Sequence, residues 1–485
     1  MITFGIAVLL LLLGYFVYSR VVERIFGVEK ERQTPAYVLQ DGVDYVPMGW
    51  GKVFLIQFLN IAGLGPIFGA VAGAMWGPVA FLWIVFGSIL GGAVHDYLSG
   101  MISIRLNGMS IPEIIGKYLG TGVKQFVRGF TVVLMVIVGA VFIIGPAKIL
   151  SGITADHPGM NFWVAVVFIY YILATLLPID KIIGKIYPVF GIALLFMALG
   201  ISVGLFAEGY KIPELNLSAF RNMHSNAGSF PVFPMMFISI ACGAISGFHA
   251  TQSPLMARCI KNETLGRRVF YGAMISEGLV ALIWAAAGMA FYGGVQELNT
   301  VMDAHQGNAA WAVNDISRTL LGKFGGILAL LGVVAAPITS GDTAFRSARL
   351  IVADFLHLGQ KPIKNRLMIS VPLFAIGFAL SQIDFAIIWR YFAWCNQTLA
   401  VFVLWTVTVY LATAKKFFWI SLIPAVFMTA VCTSYILVAP EGFHLAMGTG
   451  SLMGVAVSLI ILFFFLYKLR NGLNLISEKD GTPMG

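Results

Sequence analysis

Charged residues are scarce in this sequence. Asp, Glu, Lys and Arg make up 11% of its 485 residues, whereas hydrophobic residues make up 59%. Soluble domains average about 25% charged residues, so this scarcity excludes a soluble fold and predicts an all-helical, polytopic membrane protein. The net charge of +9 does not indicate a nucleic-acid partner, because the basic residues are spread between apolar segments and form no single patch.

Cysteine is also rare, and metal-ligand spacings are missing. The four cysteines lack a C-x-x-C spacing and no H-E-x-x-H motif occurs, so nothing signals a disulfide framework or a metal site. We therefore predict no enzyme activity, no catalytic residue, no metal and no cofactor other than a coupling proton or sodium ion. The alternative is an intramembrane metal-binding protein or metalloenzyme. Its ligands would have to be His95, Asp96, His249 and Asp342.

Long loops and filter-like repeats are absent as well. The longest predicted loops have about 30 residues, which is too short for a soluble signalling domain, so a membrane sensor is disfavoured. A channel is disfavoured because no filter-like sequence is repeated.

Apolar windows of about 20 residues predict about thirteen transmembrane helices. The first is interpreted as a retained helix and not a signal peptide, because basic residues follow the apolar run and none precedes it. The predicted spans are 2–19, 52–74, 78–104, 129–149, 161–178, 187–207, 232–257, 270–292, 324–345, 367–383, 385–412, 417–438 and 445–467.

The basic residues are distributed unequally between the two sides of these spans. One side carries 25 of the 31 Lys and Arg residues, including Lys181 and Lys185. The positive-inside rule then places the N-terminus outside and the C-terminus in the cytoplasm. The six residues left on the outer side are Lys148, Lys211, Arg221, Arg318, Lys323 and Arg390.

Two predicted spans are interrupted by small and helix-disrupting residues, at 61–66 (IAGLGP) and at 241–249 (ACGAISGFH). Unwound backbone inside a bilayer leaves N–H and C=O groups unpaired, so it persists only where it lines a cavity or holds a ligand. The interruptions occupy corresponding positions in two halves, and the two spans run in opposite directions. They predict a secondary transporter with a five-plus-five inverted repeat, although the halves share no evident residue-level identity.

This organisation divides a single membrane domain, 1–485, into parts. One extra helix precedes the two repeats and two extra helices follow them. The parts are the N-terminal helix and loop at 1–51, the first repeat at 52–207, the second repeat at 232–412, the accessory helices at 413–470 and a polar tail at 471–485.

Five stretches carry a family resemblance: GYFVYSRVVERIFGV, TPAYVLQDGVDYVP, the run from FLNIAGLGPIFG to NGMSIPEIIG, GAISGFHATQSPLMARCIKNE and PITSGDTAFRSARLIVAD. They resemble the carbon starvation protein A family. The resemblance implies a prokaryotic inner-membrane transporter that takes up peptides or pyruvate when carbon is scarce, driven by protons or sodium. The five-plus-five arrangement also resembles the leucine-transporter-like fold. The implied partners are a small-molecule substrate and the lipid bilayer, and the oligomeric state stays open.

The first interruption predicts a substrate site at Asn60, Gly63, Gly65 and Pro66. Pro66 lacks an N–H group and the glycines unwind at low cost, so a half-helix is expected to begin near Pro66. Its free N–H groups and its dipole would favour a carboxylate, to which Asn60 would add an amide. The competing interpretation is close helix packing, because glycine recurs every fourth residue from 65 to 77.

The second interruption offers more side-chain chemistry. His249 can donate to a carboxylate or carry the coupled proton, whereas a histidine that only bonds a neighbouring helix would be structural. The Ser-Pro pair at 253–254 is expected to start a helix. The predicted substrate contacts here are Ser246, Gly247, Phe248, His249, Thr251 and Gln252.

His95 and Asp96 lie at membrane depth in the third span and are candidates for proton coupling or gating. Side chains of neighbouring helical residues point about 100° apart, so we expect one to face the cavity and the other to face a partner. A buried carboxylate suits a proton carrier, whereas an Asp paired with an Arg does not.

The ninth predicted span supplies candidate ligands for a coupling cation. The leucine-transporter analogy would place hydroxyl ligands of a sodium-like ion at Thr339 and Ser340, with backbone carbonyls from residues 62–65. Asp342 would charge that site or take a proton. The alternative is that Asp342 pairs with Arg346 one turn later.

Polar residues of the eleventh span have simpler explanations. Asn396 and Gln397 are expected to bridge helices. Arg390 is explained by snorkelling to the membrane surface, with attraction of anions as the alternative.

Overall fold

A computed structural model describes residues 1–154, 157–176, 183–360 and 362–471. Helices account for 77% of the structure, and the described residues contain no β-strand. The predicted all-helical class is therefore confirmed. Of the tail predicted at 471–485, only residue 471 is among the described residues. Lys181 also lies outside the described residues.

Eighteen helices of the described residues define the architecture. They are α1 (Ile2–Phe26), α2 (Trp50–Ile61), α3 (Gly65–Trp76), α4 (Val79–Arg105), α5 (Ile111–Leu119), α6 (Thr121–Ile153), α7 (Met160–Leu176), α8 (Ile183–Ala207), α9 (232–239), α10 (Gly247–Ala257), α11 (Glu263–Phe291), α12 (Val295–Ala304), α13 (Ala309–Ala329), α14 (Ala335–Leu356), α15 (Ile363–Leu380), α16 (Phe385–Thr413), α17 (Trp419–Val438) and α18 (Met447–Arg470).

The predicted spans correspond to these helices. Among the described residues, nine helices are long and apolar enough to cross a membrane, and ten if the bent pair α2 and α3 is one span. The other three predicted spans also hold helices. The predicted span 161–178 holds α7, which has only 17 residues. The span 232–257 holds α9 and α10, which are separated by an interruption. The span 324–345 covers the end of α13 and the beginning of α14, which is more polar. The chain is thus a multi-pass membrane protein.

The first interruption is present as predicted. Helix α2 ends at Ile61, Ala62 leaves helical geometry with φ −78° and ψ 57°, and α3 begins at Gly65. The axes of α2 and α3 differ by 57°. Because Pro66 stands in the first turn of α3, where its missing N–H group is not needed, it starts this half-helix as expected.

The second interruption is also present, but its second helix starts earlier than predicted. Helix α9 ends before Ile240, and α10 begins at Gly247 after an extended Ser246 with φ −150° and ψ 124°. The predicted helix start at Ser-Pro 253–254 is wrong, because Pro254 lies inside α10. The backbone N–H of Phe248 donates to the side-chain oxygen of Asn396 on α16. This hydrogen bond caps α10 at the earlier start.

The two interruptions pack directly against each other. A side chain added at Gly65 would collide with Cys242, and one added at Gly69 would collide with the carbonyl oxygen of Ser239. Glycine is therefore required for this close approach, which confirms the packing interpretation of the glycine repeat at these two positions. The broken spans meet in the interior, as the inverted-repeat prediction requires.

Candidate functional site

Four fully buried ionisable side chains, His95, Asp96, His249 and Glu277, lie together in the interior, and we call them the quartet. Nδ1 of His95 lies 2.7 Å from one carboxylate oxygen of Asp96, and Nδ1 of His249 lies 2.9 Å from the other. Nε2 of His249 lies 3.3 Å from a carboxylate oxygen of Glu277. Helices α4, α10 and α11 thus contribute to one continuous line of groups that can exchange protons.

The local structure explains why these groups meet. His249 is the third residue of α10, so the second interruption fixes its position. The expectation that His95 and Asp96 diverge is wrong, because the two side chains bond each other. Asp96 has two carboxylate oxygens and uses one for each histidine, so it joins its chain neighbour to α10.

Sequence reasoning missed Glu277. It is the one charged residue in the apolar segment Gly272–Phe291, and it is fully buried. A single carboxylate in an apolar segment at membrane depth indicates a functional residue, so the sequence alone could have identified Glu277 as a candidate. Its partner was not evident, because His249 lies on a different helix.

The polar atoms of the second interruption bond mainly to other parts of the protein. Oδ1 of Asn396 accepts hydrogen bonds from the Ser246 hydroxyl at 3.0 Å and from the Phe248 N–H at 2.7 Å. A side chain at Gly247 would collide with the α16 backbone. This confirms that Asn396 bridges helices, and it leaves the start of α10 already capped by protein.

Two further predicted contacts follow the same pattern. The Thr251 hydroxyl donates to the Phe248 carbonyl at 2.7 Å, and the Gln252 amide donates to the Thr251 hydroxyl at 2.8 Å. The side-chain oxygen of Gln252 has no hydrogen-bond partner among the described residues. Gln397 donates to the carbonyl of Phe237 at 2.8 Å and so bridges α16 to α9.

The first interruption is the less satisfied of the two. Asn60 is fully buried in the last turn of α2, and neither of its amide atoms has a hydrogen-bond partner among the described residues. Gln57, one turn earlier, is buried and unpartnered in the same way, and sequence reasoning missed it. Buried amides without partners are costly, so the two side chains mark a place where a ligand would gain hydrogen bonds.

The predicted cation ligands lie beside the same interruption. The Ser340 hydroxyl donates to the carbonyl of Leu59 at 3.1 Å, and a side chain added at Gly63 would come close to this hydroxyl. The Thr339 hydroxyl donates to Ala336 of its own helix at 2.7 Å. Both hydroxyls bond the Ala336 carbonyl of their own helix, Ser340 at 3.0 Å, but only the Ser340 hydroxyl also lies within hydrogen-bond distance of the broken span in the described residues.

Asp342 is separate from the quartet. Its carboxylate accepts a hydrogen bond from the Tyr187 hydroxyl at 2.7 Å. Arg346, which was the alternative partner, lies 3.5 Å from the carboxylate of Asp44. In the described part of the chain, no group of three or more His, Cys, Asp or Glu side chains is arranged to hold a metal ion, so the metalloenzyme alternative gains no support. The four cysteines are free and buried.

A cavity of about 350 Å³, which we call the vestibule, reaches both broken spans from one end of the bundle. Phe68 of α3 and Ser239 of α9 line it, so half-helices from both interruptions contribute to its wall. Its polar lining includes Lys148, Asp384 and Arg390.

A row of aromatic rings leads from the vestibule to the quartet. The ring centroids of Phe68 and Trp389 are 6.0 Å apart, and those of Trp389 and Phe392 are 5.3 Å apart. Phe142 continues the row, 5.9 Å from Phe392 and 6.1 Å from Phe248. Because Phe248 directly precedes the histidine of the quartet, the row ends at the buried charges.

The opposite end of the bundle is covered by residues 27–49, which we call the strap. Its backbone and side chains bond the α10–α11 connection. Met48 N–H donates to Cys259 at 2.9 Å, and the Thr34 hydroxyl donates to Ile260 at 2.6 Å. Glu263 of α11 is fully buried; its carboxylate accepts a hydrogen bond from the Glu29 N–H at 2.7 Å and lies 3.7 Å from Arg32, both in the strap, and 2.9 Å from Arg105 of α4. The strap therefore closes this end with hydrogen bonds and ion pairs.

Helix α16 shows that the strap and the vestibule lie at opposite ends. Arg390 near its start lines the vestibule, and Tyr410 near its end bonds Arg105 at 3.2 Å. Twenty residues of helix span about 30 Å, the thickness of a hydrocarbon core. Below the strap, a cavity lined by Thr251, Arg258 and Ser347 holds about 20 Å³, which is room for about one water.

Burial also affects ionisable groups of the strap region that lie outside the membrane-spanning helices. It raises the pKa of the Cys259 thiol to about 12 and raises the pKa of the Tyr45 phenol. The Tyr45 hydroxyl therefore stays protonated and donates to the carbonyl of Asn107 at 3.1 Å.

Comparison with known proteins adds the family. A family profile described as "Carbon starvation protein CstA" matches residues 1–156 and 157–283. The chain belongs to the CstA carbon starvation family. This confirms the resemblance carried by the five sequence stretches.

Relatives of this CstA-family chain include named transporters. It is 26% identical over 599 residues to the peptide transporter CstA of Campylobacter jejuni, with 96% of this chain and 84% of that protein covered. It is 29% identical over 340 residues to the pyruvate/proton symporter BtsT of Escherichia coli, with coverage of 56% and 46%. A membrane protein of Haemophilus influenzae is 44% identical over 352 residues, with coverage of 63% and 95%.

A solved structure shows the fold of this family member. The structure of MhsT in complex with L-phenylalanine matches with a TM-score of 0.50 at 15% identity, covering 85% of this chain and 97% of that chain. The predicted leucine-transporter-like fold is thereby confirmed. The boundaries of the two repeats, 52–207 and 232–412, stay a prediction.

Proposed function

We propose that the chain is a secondary active transporter that imports small carboxylates, short peptides or pyruvate, together with protons across the prokaryotic plasma membrane. The observation that carries the proposal is the quartet, which is joined to the second broken span through His249. The names of the Campylobacter and Escherichia relatives support transport as the activity and these compounds as the substrate class.

The composition of the quartet supports proton coupling. Two imidazoles and two carboxylates can each gain or lose a proton, and here all four are removed from water. Net charge is costly in a low-dielectric interior, so the quartet favours a proton count that balances its charges. A substrate carboxylate that arrives near His249 adds a negative charge, which one further proton offsets. Substrate and proton would then cross together.

The proposed substrate site lies between the two interruptions. Gln57 and Asn60 supply buried amides that have no hydrogen-bond partner in the described part of the chain, and the start of α3 at Gly65 and Pro66 supplies a positive helix end. The unpartnered side-chain oxygen of Gln252 supplies an acceptor on the other broken span. These groups suit a ligand that carries a carboxylate and further polar atoms.

Sodium is the second candidate for the coupling ion. It is favoured by one observation, the approach of the Ser340 hydroxyl to the Leu59 carbonyl at the end of α2. Hydroxyl and carbonyl oxygens are suitable ligands for a hard cation. The Thr339 hydroxyl donates to Ala336 and one carboxylate oxygen of Asp342 accepts from Tyr187, which leaves the other carboxylate oxygen of Asp342, unpartnered among the described residues, as a ligand atom.

The positive-inside distribution is the basis for the proposed orientation, with the N-terminus outside and the C-terminus in the cytoplasm. In that orientation the vestibule faces outward and the strap faces the cytoplasm. The described conformation would then be open to the outside as far as the aromatic row and closed on the inside.

The proposal is tested by uptake into proteoliposomes that contain the purified protein. We expect labelled pyruvate or a labelled dipeptide to accumulate under an imposed inward proton gradient and not under a sodium gradient alone. Accumulation driven only by the sodium gradient would indicate that sodium, bound near Ser340, is the coupling ion and that the proton is not. Failure of both substrates to accumulate under either gradient, with the protein correctly inserted, would contradict the proposed function.

A further inference from the structure

We propose that a cavity of about 410 Å³ beside α16, which we call the lateral cavity, binds one acyl chain of an anionic phospholipid, with Lys468 contacting the headgroup phosphate. The cavity lies between α16, α17 and α18, and the adjoining ends of α5 and α6 add Leu119 and Val123 to its wall. Its described lining residues belong neither to the quartet nor to the vestibule or the interruptions. The inference is therefore independent of the proposed transport function.

The wall of the lateral cavity suits a hydrocarbon chain, because most of its side chains are aliphatic or aromatic. Two polar groups of the wall are already bonded within the protein. The indole N–H of Trp394 donates to the carbonyl of Cys432 at 3.1 Å, and that of Trp405 donates to the hydroxyl of Thr429 at 3.0 Å. A carboxylate or a peptide would lose its hydrogen bonds to water here, whereas an acyl chain has none to lose.

The lateral cavity is also long enough for an acyl chain of one leaflet. Its wall follows α16 from Trp394 to Val409, a rise of about 22 Å, whereas half of a hydrocarbon core is about 15 Å thick. The lining residues Ile461 and Phe464 are 36% and 58% exposed, so the cavity opens to the surroundings of the bundle, which in a membrane are lipids. A phospholipid can insert one chain from that side and leave the other in the bilayer.

Lys468 places a cation at one end of this apolar cavity. It stands in the last turn of α18, and its ammonium nitrogen lies 5.6 Å from the centroid of the Phe464 ring. Three residues earlier, the ring of Phe465 lies 5.8 Å from that of Phe418, in the connection between the end of α16 and the start of α17. This connection is at the strap end of the bundle, so Lys468 lies at the membrane surface on that side. Lysine near a membrane surface attracts anionic lipids.

A chain in the lateral cavity would contact the part of α16 that positions the second interruption. Trp394 lines the cavity, and Asn396 accepts the hydrogen bond from the N–H of Phe248. Side chains two residues apart on a helix point about 200° apart, so the acyl chain and α10 contact α16 on opposite faces. A bound lipid would thus hold α16 where Asn396 caps α10.

The experiment uses the purified full-length protein and phosphatidylglycerol that carries a photoreactive diazirine in one acyl chain. After illumination, mass spectrometry is expected to find crosslinks in the segments of α16, α17 and α18 that line the cavity. Unlabelled phosphatidylglycerol should compete about fivefold better than phosphatidylcholine with the same chains, which is the effect of one lysine near a membrane surface. Lys468→Gln is expected to abolish this preference, and Lys468→Arg is expected to keep it.

Two matched controls accompany these variants. Lys30 is an exposed lysine of the strap outside the lateral cavity, so Lys30→Gln should keep the fivefold preference. Val401→Trp fills the cavity and should prevent the crosslinks, whereas Val457→Trp on the exposed face of α18 should not. Crosslinks spread evenly over the surface of the wild-type bundle would overturn the proposal. Equal competition by the two lipids, or an unchanged preference in Lys468→Gln, would overturn it as well.

Discussion

The proposed proton coupling depends on individual side chains of the quartet, and Glu277 is the one whose replacement tests it most directly. It is fully buried, and His249 is its ion-pair partner. Glu277→Gln removes the charge and the exchangeable proton but keeps the shape of the side chain. We expect proton-driven accumulation to fall by about tenfold or more, whereas counterflow exchange of labelled for unlabelled substrate persists.

The matched control for this variant is Glu297→Gln. Glu297 is exposed on α12, so the same chemical change there should leave both accumulation and counterflow intact. If Glu277→Gln accumulates substrate as well as the wild type does, the quartet has no part in coupling.

Residues also show the limit of what sequence can reveal about the site. His249, Asp96 and His95 were recognisable because ionisable groups at membrane depth are rare. Their partnership was not, because the bond between Asp96 and His249 joins residues 153 positions apart. Gln57 was overlooked because it lies one turn before the interruption, and its lack of hydrogen-bond partners among the described residues is visible only in the structure.

At the scale of helices, the two interruptions were predictable and their exact limits were not. Glycine and proline weaken a helix locally, so the breaks at 61–66 and 241–249 follow from residue types alone. The start of α10 depends on Asn396, whose side chain caps Phe248 from 148 residues away. Local sequence favoured Ser-Pro at 253–254, and this tertiary cap moved the start to Gly247.

Close packing of the broken helices gives a stability prediction. Gly65→Val would place methyl groups against Cys242 on the other interruption, and overpacking of this kind costs about 1–3 kcal/mol. We expect a lower Tm in detergent and reduced uptake. Gly129→Val on α6 is the control, because no atom lies within 4 Å of a side chain added at Gly129. Equal Tm values for the two variants would show that the interruptions do not need this contact.

The strap gives a second prediction at this scale, with Cys259 as a built-in probe. Glu263→Gln removes the charge that pairs with Arg105 and leaves this arginine and Arg32 without their buried partner. Loss of one member of a buried pair is strongly destabilising, so the strap should open more often. Alkylation of Cys259 should accelerate by about tenfold or more, because opening exposes the thiol.

The pH dependence of this reaction has a definite sign. The reactive form is the thiolate, and burial raises the pKa of Cys259 to about 12, so alkylation in the closed state is slow at pH 8 and increases toward pH 12. Opening lowers that pKa toward its ordinary value and moves the increase to lower pH. Glu23→Gln breaks a different ion pair, with Arg267, and should leave the rate unchanged. An unaltered rate in Glu263→Gln would mean that the ion pairs do not hold the strap.

For the whole molecule, composition and span direction predicted the class of protein and its fold. The scarcity of charge indicated a membrane protein, and the opposed interruptions indicated the leucine-transporter-like arrangement that the MhsT comparison confirms. The vestibule was not predictable, because it is assembled from segments far apart in sequence. The position of the strap was not predictable either, because the residues that it bonds, Cys259 and Ile260, lie more than 200 positions away in sequence. Their opposite positions give the molecule one open end and one closed end.

That asymmetry is what alternating access requires. A transporter exposes its site to one side at a time, so one end must close when the other opens. The aromatic row and the strap are the two closures in the described residues, and the quartet lies between them. Movement of substrate past the rings would bring its charge to the quartet before the strap opens.

Substrate-driven proton movement is the most direct test of this account. A pH-sensitive dye inside proteoliposomes records the lumen after pyruvate or a dipeptide is added outside, without an imposed gradient. The account predicts acidification of the lumen together with substrate entry in the wild-type protein, and no acidification in Glu277→Gln. Substrate entry without any pH change in the wild-type protein would contradict proton coupling through the quartet.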